Sequence, residues 1–508
     1  MVSDPGQWIE LELELAPDDA ARLIRVPELA RLRSGRARAT QVRMVWHDTP
    51  AAALAEDGTV LCEHRLGRET TWRIERMRGA PDAPWLPGAP SPLLDEAAER
   101  SSLGRALPAP LLPVAAFEGT LRVLALAEAA GTRQVTLLDG VLRAVAGERP
   151  VCRLMLSGLP AETEALALAL AAHVRLCVPA ASLASEAYAV SGRAVPPAAS
   201  GAPILPTGVS VGDAFARIAG HLAAVLLCWA SSAAPSGGEE PVHQMRVAVR
   251  RLRSALSLFG RAVGCTELDA VHADLRALMR VLGPARDWDV FVNGTGRAVG
   301  RAFTDDRAVA RLLAAAERRR LDAYAALDGF LHGAGFRTLG IRLACLVAGR
   351  PWEHPPATLD DDPARREAAD KQMAALASPL DDFAGHALAR RLARVGEAGD
   401  DLSALPADAL HRLRIQAKRL RYAAEFFAPL YPPRDTRRFI RRVASVQERL
   451  GRLNDGAVVR HLMEQLGGGD RAYAVGVVRG FVAAGLRDER AKAERSWRKL
   501  RRASPFWS

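Results

Sequence analysis

Lysine is nearly absent from this 508-residue chain: 65 of the 69 basic residues are arginine, and no lysine precedes Lys371. Aromatic residues make up only 5%, and the 6 cysteines lie far apart, without a Cys-x-x-Cys pair. That spacing excludes a zinc ribbon and a disulfide framework. Residues 1–6 lack the basic and apolar regions of a signal peptide. We therefore expect a soluble protein of the reducing cytoplasm.

Formal charge is missing between Arg217 and Glu239, a stretch long enough for a membrane span to be considered. His221 interrupts it, and residues 231–238 are rich in the small residues, proline and glycine of a loop. The pattern favours a buried helix of a bundle followed by a loop, and it predicts no membrane partner.

Charge is unevenly divided along the chain. Residues 1–200 hold 21 basic and 24 acidic residues, a net of −3. Of the 69 basic and 58 acidic residues in total, 48 and 34 then remain for residues 201–508, a net of +14. A polyanionic partner is therefore expected to bind the C-terminal three-fifths of the chain.

Residues 193–208 contain four prolines and two glycines, which predicts a linker between domains. Before it, residues 9–15, 121–126 and 134–138 have strand character, and after it almost every segment has helical periodicity. The fold class predicted is therefore α+β and multidomain. An α+β domain at residues 1–192 precedes an all-α domain at residues 209–508.

The all-α part contains an internal repeat with an offset of 168 residues. Residues 242–259 (VHQMRVAVRRLRSALSLF) align with 410–427 (LHRLRIQAKRLRYAAEFF), and in the same register Asp287 falls on Asp455. Such a repeat predicts a duplication, with halves at about 209–350 and 364–508 related by a pseudo-twofold axis.

Each repeat helix places its cations on one face, opposite a stripe of apolar residues. The face carries His243, Arg246, Arg250 and Arg253 in the first helix, and His411, Arg414, Lys418 and Arg421 in the second. Like charges three or four residues apart destabilise a helix, and a bound polyanion would relieve that repulsion. The alternative for one helix alone is a solvated arginine-rich face, but two helices with the same face favour a binding site.

The nature of the polyanion follows in part from what surrounds the cations. Proteins that bind single-stranded nucleic acid without sequence preference usually add aromatic stacking platforms, and these faces carry none. Phosphate without bases fits better, and sequence-specific nucleic acid is not expected. Contact with a duplex backbone needs no stacking and stays open.

Residues 208–508 resemble the CHAD domain, the conserved-histidine α-helical domain. The resemblance rests on VHQMRVAVRRLRSAL, LGPARDWDV, LHRLRIQAKRLRYAAEFF and LGRLNDGAVV. It implies two four-helix bundles around a basic channel that grips inorganic polyphosphate, with no cofactor needed. The family's basic positions fall on the eight His, Arg and Lys residues of the two faces.

Residues 7–192 resemble a CYTH domain, an eight-stranded antiparallel tunnel that hydrolyses triphosphates with Mg²⁺ or Mn²⁺. The resemblance rests on residues 9–17 (IELELELAP), on residues 46–61 (WHDTPAAALAEDGTVL) and on the spacing of Ser182 and Tyr188. The candidate metal ligands Glu10, Glu12 and Glu14 share a strand face by the period of two. The alternative for these carboxylates is an acidic, solvent-facing strand edge.

The cations of a triphosphate tunnel are missing. Glu12 or Glu14 stands where the family has a lysine, Cys62 and His64 replace paired arginines, and Leu183 replaces a closing lysine. This domain is therefore predicted to have lost hydrolase activity. The function expected is polyphosphate binding, in the cytoplasm or at polyphosphate granules. The alternative is a metal-dependent inorganic triphosphatase or polyphosphatase to which the helical domain delivers substrate. The oligomeric state stays open.

Overall fold

A computed structural model describes residues 8–77, 110–128, 131–193, 201–203, 205–354, 363–402, 405–467 and 469–507. Its N-terminal part is built on one antiparallel sheet of eight strands. The strands are β1 (Ile9–Leu15), β2 (Arg33–Asp48), β3 (Thr59–Leu66), β4 (Glu69–Arg76), β5 (Leu112–Glu128), β6 (Gly131–Ala144), β7 (Gly147–Gly158) and β8 (Leu176–Cys177).

The strand order across the sheet is β4-β3-β2-β5-β6-β7-β1-β8. Eight antiparallel strands agree with the predicted CYTH-like domain, but the predicted closure into a tunnel or barrel is wrong. In the described residues the sheet is open, with β4 and β8 at its two edges. The physical reason lies in β8, which spans two residues and pairs only with the end of β1, too short an edge to continue the hydrogen-bonded ladder into β4.

Short helices accompany the sheet: α1 (Ala20–Leu23), α2 (Pro27–Leu32), α3 (Ala53–Glu56), α4 (Pro160–Ala171) and α5 (Leu183–Val190). One sheet face packs its leucines, Leu11 and Leu13 among them, against α1, α2 and α4. The other face carries Trp46, Phe117 and, from α5, the buried Tyr188. Each face of the sheet therefore carries a buried apolar cluster.

Residues of the CYTH-like motifs hold the local fold together. Asp48 is buried and its carboxylate accepts hydrogen bonds from the backbone N–H groups of Thr49 and Leu54, which caps α3. The Tyr188 hydroxyl donates to the same carboxylate at 2.6 Å, and Ser182 caps α5. These motif residues join α3 and α5 to the sheet. Their structural roles account for the motif without any catalytic role.

The C-terminal part is helical. Its first half contains α6 (Val211–Ala230), α7 (Glu240–Phe259), α8 (Glu267–Val290), α9 (Arg297–Ala302), α10 (Arg307–Leu331) and α11 (Ala334–Gly349). A turn of π-helix at Phe291–Gly296 joins α8 to α9. The second half contains α12 (Pro363–Ala377), α13 (Leu380–Gly396), α14 (Ala407–Phe427), α15 (Pro433–Leu466), α16 (Ala472–Gly485) and α17 (Glu489–Arg501).

In the first half α6, α7, α8 and α11 contact one another in a ring, and in the second half α14 packs against α13 and α15, with α17 against α15. One apolar core runs through both halves. Helix α6 is long and apolar enough to cross a membrane by length and composition, but 83% of its apolar window is buried within the protein. That burial agrees with the predicted core helix.

Helix α11 also joins the two domains, because Ile341, Ala344 and Cys345 complete the apolar cluster beneath β1 and α4. Both repeat helices begin just before their histidines, at Glu240 and Ala407, as Pro241 and Asp408 near the two starts predict. Of the predicted linker 193–208, residues 194–200 and 204 lie outside the described residues, and so do residues 1–7 and 355–362. The domain bounds stay a prediction.

Candidate polyanion-binding site

Helices α7 and α14 pack directly against each other. Their predicted apolar stripes are buried, with Met245, Leu252 and Phe259 in the core from α7, and Leu413 and Leu420 from α14. The periodicity of an amphipathic helix then leaves the cationic faces outside this core. The cationic faces of α7 and α14, one from each half of the repeat, therefore lie close to each other.

Four of the eight predicted residues form a central basic cluster: Arg246 and Arg250 from α7, and Arg414 and Lys418 from α14. All four side chains are half-buried. The charges of Arg246, Arg250 and Arg414 all act on the Lys418 ammonium. Buried Nε atoms of Arg250 and Arg414 have no hydrogen-bond partner in the described structure. The cluster therefore holds an excess of poorly compensated positive charge.

Lys418 shows this excess most clearly. Burial, followed by repulsion from Arg414, Arg250 and Arg246, lowers the pKa of its ammonium to about 7. Asp455 acts in the opposite direction, but its effect is smaller than that of each of the three arginines. A lysine with such a pKa gains its full charge when an anion binds beside it, so the site is electrostatically prepared for a polyanion.

Two aspartates that occupy equivalent positions in the repeat, Asp287 and Asp455, lie beside the central basic cluster. Asp287 lies 3.3 Å from Nη2 of Arg246, and Asp455 is near Arg414 and Lys418. Burial raises the pKa of both carboxyl groups against the opposing effect of these cations. The two acids balance part of the charge and hold the cations in place, which leaves a net positive cluster.

The other four predicted residues lie at the margins of the cluster or outside it. Burial and the nearby Arg286 lower the pKa of His243, which favours a neutral ring. The exposed His411 has Nδ1 2.9 Å from Oδ1 of Asn454. Arg253 is exposed and acts on His272 in α8, and Arg421 donates to Glu425 at 2.7 Å. The described contacts of Arg253 and Arg421 are therefore with residues outside the central basic cluster.

A buried ion pair connects α7 and α14. Arg251 of α7 donates to Glu425 of α14, and the Arg251 guanidinium lies 5.3 Å from the centre of the Tyr422 ring. Glu425 is the first acidic residue of α14 after Asp408, and it serves both Arg251 and Arg421. Arg251 lies outside the cationic face of α7, and the structure shows its role: it is an interhelix contact.

Arg286 is a site residue that sequence reasoning missed. It belongs to α8, is paired with Glu239, and its charge acts on His243, Arg246 and Asp287. The motif LGPARDWDV contains it directly before Asp287. Only the packing of α8 against α7 shows that this position borders the cluster.

The candidate metal ligands of the N-terminal domain are placed differently from one another. Glu10 is exposed, whereas Glu12 and Glu14 face the buried Arg153 of β7, with shortest separations of 3.6 and 3.2 Å. Glu186 of α5 lies 2.5 Å from the same guanidinium. Burial raises the pKa of Glu12 to about 7 despite this cation.

This arrangement does not suit a divalent metal. Arg153 already pairs with the two inner carboxylates, and within the described ranges no three His, Cys, Asp or Glu side chains are grouped as a metal site needs. No metal-dependent step follows from it. The assignment of Glu10, Glu12 and Glu14 as metal ligands stays a prediction.

Comparisons with known proteins identify the helical part. The family model of the CHAD domain matches residues 214–464. An uncharacterized protein of Mycobacterium tuberculosis, MT2285, is 31% identical over 204 residues, which are 39% of this chain and 36% of that relative. The match thus spans about a third of the length of the curated relative.

Among solved structures, the CHAD domain from the plant Ricinus communis is 28% identical, with 61% of this chain and 98% of that chain covered and a TM-score of 0.48. PptA from Streptomyces chartreusis is 16% identical, covering 57% and 99%, with a TM-score of 0.41. A putative adenylyl cyclase from Hippeastrum, HpAC1, described as having a dominant triphosphatase activity, is 14% identical over 37% of this chain and 98% of that chain, with a TM-score of 0.25.

Proposed function

Because residues 214–464 form a CHAD domain, we propose that this protein binds inorganic polyphosphate in the central basic cluster between α7 and α14. The observation that carries the proposal is the meeting of Arg246, Arg250, Arg414 and Lys418 from two repeat halves. Guanidinium groups bind phosphate oxygens in pairs, and a polyphosphate chain presents such oxygens at every unit. The resemblance to the CHAD domain, which implies polyphosphate as the ligand, supports the same proposal.

We further propose that the helical domain is a duplication of a four-helix bundle, with the cluster near the pseudo-twofold axis. The ring of α6, α7, α8 and α11 supports the first bundle, and α13, α14, α15 and α17 are its counterparts. A chain with a uniform repeat of charge suits such a symmetric site, because each half can contact the same phosphoryl group in the same way.

The experiment that tests the proposed ligand is a titration with long-chain polyphosphate and with single-stranded RNA of matched length, each at two salt concentrations. We expect polyphosphate to bind more tightly and to stay bound near physiological salt, because the cluster offers many cations and no stacking surface. Equal affinities that collapse together with salt would instead mean a general polyanion surface.

Polyphosphate binding at pH 8 is expected to be accompanied by the uptake of close to one proton, and Lys418 is the group that accepts it. Its pKa of about 7 leaves the amine mostly neutral in the free protein at that pH, and a bound polyanion favours the ammonium. Affinity should therefore fall as the pH rises through 7 towards 9. The Lys418→Arg variant keeps its charge, so its proton uptake and pH dependence should be much smaller.

Calorimetric titration in two buffers with different ionisation enthalpies measures this uptake directly. The neighbours that set the charge of Lys418 are Arg414 on α14, Arg246 and Arg250 on α7, and Asp455 on α15. Working at pH 8 isolates Lys418 from His243, whose lowered pKa keeps that ring neutral. The same uptake in Lys418→Arg would assign the proton to another group.

For the N-terminal domain we propose a scaffold or interaction role without hydrolysis. In support, Arg153 is bound to Glu12, Glu14 and Glu186, so it is not a free cation for a triphosphate. The alternative, a metal-dependent triphosphatase with the helical domain as its substrate-binding module, has a direct test. Release of phosphate from tripolyphosphate with Mg²⁺ or Mn²⁺, abolished by Glu10→Ala, would favour that alternative.

A further inference from the structure

A second cationic site lies away from the central basic cluster, where the end of α7 meets α13. This α13 pocket is lined by Ser257, Leu258, Arg261, Ala387, Arg390, Arg391 and Arg394. The four residues from α13 follow a helical spacing of three and four, so they share one face. Within the described structure no acidic side chain pairs with any of the four arginines.

Arg391 is the centre of the pocket. Its residue is only 6% exposed, and Nη2 donates to the Ser257 hydroxyl at 3.1 Å. The buried Nη1 has no hydrogen-bond partner in the described structure. Burial, followed by the charges of Arg419, Arg394 and Arg390, lowers the pKa of Arg391 to about 10. A buried cation with only cations around it is costly unless an anion joins it.

The internal repeat shows that the counterpart of the α13 pocket contains a carboxylate, which the described lining of the pocket lacks. With the offset of 168 residues, Ser257 corresponds to Glu425, and Arg419 corresponds to Arg251. In the first of these positions Glu425 supplies a carboxylate that pairs with both Arg251 and Arg421. At the second place a serine stands where the carboxylate would be, and Arg391 adds one more cation. In the first half, the position that corresponds to Arg391 is the buried Ala223.

We propose that the α13 pocket binds a phosphoryl anion, which takes the place that Glu425 fills in the other half of the repeat. Phosphoryl oxygens match several guanidinium donors at once, and the Ser257 hydroxyl adds a neutral donor. Among the described residues that line the pocket none is aromatic, so a base or ring is not part of the proposed ligand. The anion is inorganic phosphate or a phosphoryl group of a longer chain.

Ser257→Glu in the full-length protein tests the proposal, with Ser257→Ala as the matched control and inorganic phosphate as the probe. In calorimetry and thermal melts at constant ionic strength, phosphate should bind wild type and Ser257→Ala and raise their midpoints by on the order of 2 °C over chloride. Ser257→Glu supplies its own carboxylate, so it should melt higher without phosphate and respond little to it. Arg391→Met should fold and lose the phosphate response.

Two results would overturn the proposal: phosphate acting no differently from chloride on wild type, or Ser257→Glu responding like Ser257→Ala. A titration with polyphosphate distinguishes the two sources of the phosphoryl group, free phosphate and a polyphosphate chain. If a chain supplies it, Ser257→Glu should weaken polyphosphate binding several-fold; if free phosphate does, polyphosphate affinity should be unchanged. A protein with Arg250→Glu and Lys418→Glu should still bind phosphate here, which separates this site from the proposed function.

Discussion

Replacing Arg250 and Lys418 with glutamate should lower the affinity for long-chain polyphosphate by at least about 100-fold. Each charge-assisted hydrogen bond to phosphate contributes about 1.5–3 kcal/mol, and two reversed charges add repulsion to the two lost contacts. The two residues come from different halves of the repeat and act on one another across the cluster. Their joint loss therefore affects both sides of the proposed site.

The fold should survive this change. Both side chains are half-buried on the face opposite the apolar stripes, and new glutamates there would lie beside Arg246 and Arg414. The affinity is measured by titration at fixed salt, and helical content and thermal midpoint by circular dichroism. The matched control is Arg311→Glu with Arg437→Glu, which makes the same change in net charge at exposed positions.

The control variant should keep most of the affinity, because Arg311 and Arg437 are exposed, and salt screens the effect of exposed charges on a local site. If a folded Arg250→Glu and Lys418→Glu protein binds as tightly as wild type, polyphosphate binds elsewhere. If both double variants lose affinity equally, net charge rather than the central basic cluster governs binding.

The second large effect is expected at Arg153, whose replacement by methionine should destabilise the N-terminal domain by about 3–5 kcal/mol. Removing one partner of a buried ion pair leaves the other charges poorly compensated: Glu12 loses its cation, and Glu14 and Glu186 keep only the half-exposed Arg149. Arg153 is 1% exposed, so water cannot replace it. The loss should grow as the pH rises. At low pH Glu12, whose pKa is raised to about 7, is neutral and needs no cation, whereas at higher pH it ionises and lacks the charge of Arg153.

Hydrogen exchange of the full-length protein measures this effect by region. Amides of β1 and β7 should exchange at least about 100-fold faster in Arg153→Met, while those of α7 and α14 should change little. Arg149→Met is the control: its side chain is 46% exposed and pairs with Glu14, so about 1 kcal/mol or less should be lost. Glu12→Gln should restore part of the protection, and equal protection in Arg153→Met and wild type would refute the role of Arg153.

The structure confirms the sequence predictions that depend on local pattern. The apolar stripes of α7 and α14, the starts of both helices and the buried state of α6 follow from helical periodicity and from prolines and small residues nearby. Periodicity also identified Arg246, Arg250, Arg414 and Lys418 as members of one cationic face in each helix. A single helix wheel could not show that the two faces meet.

The sequence by itself determined the α+β order, the internal repeat and the identity of the cationic faces, since each is written in the spacing of residues along one segment. Only the tertiary structure decided which charges share a site. In the part of the chain that the structure describes, it placed Arg153 against Glu12, joined Arg251 to Glu425, left Arg391 beside Ser257 without an acid, and kept the sheet open at β8. These outcomes depend on residues 134–174 positions apart, or on pairing between distant strands, and burial changes the energy of a charge only once such residues meet.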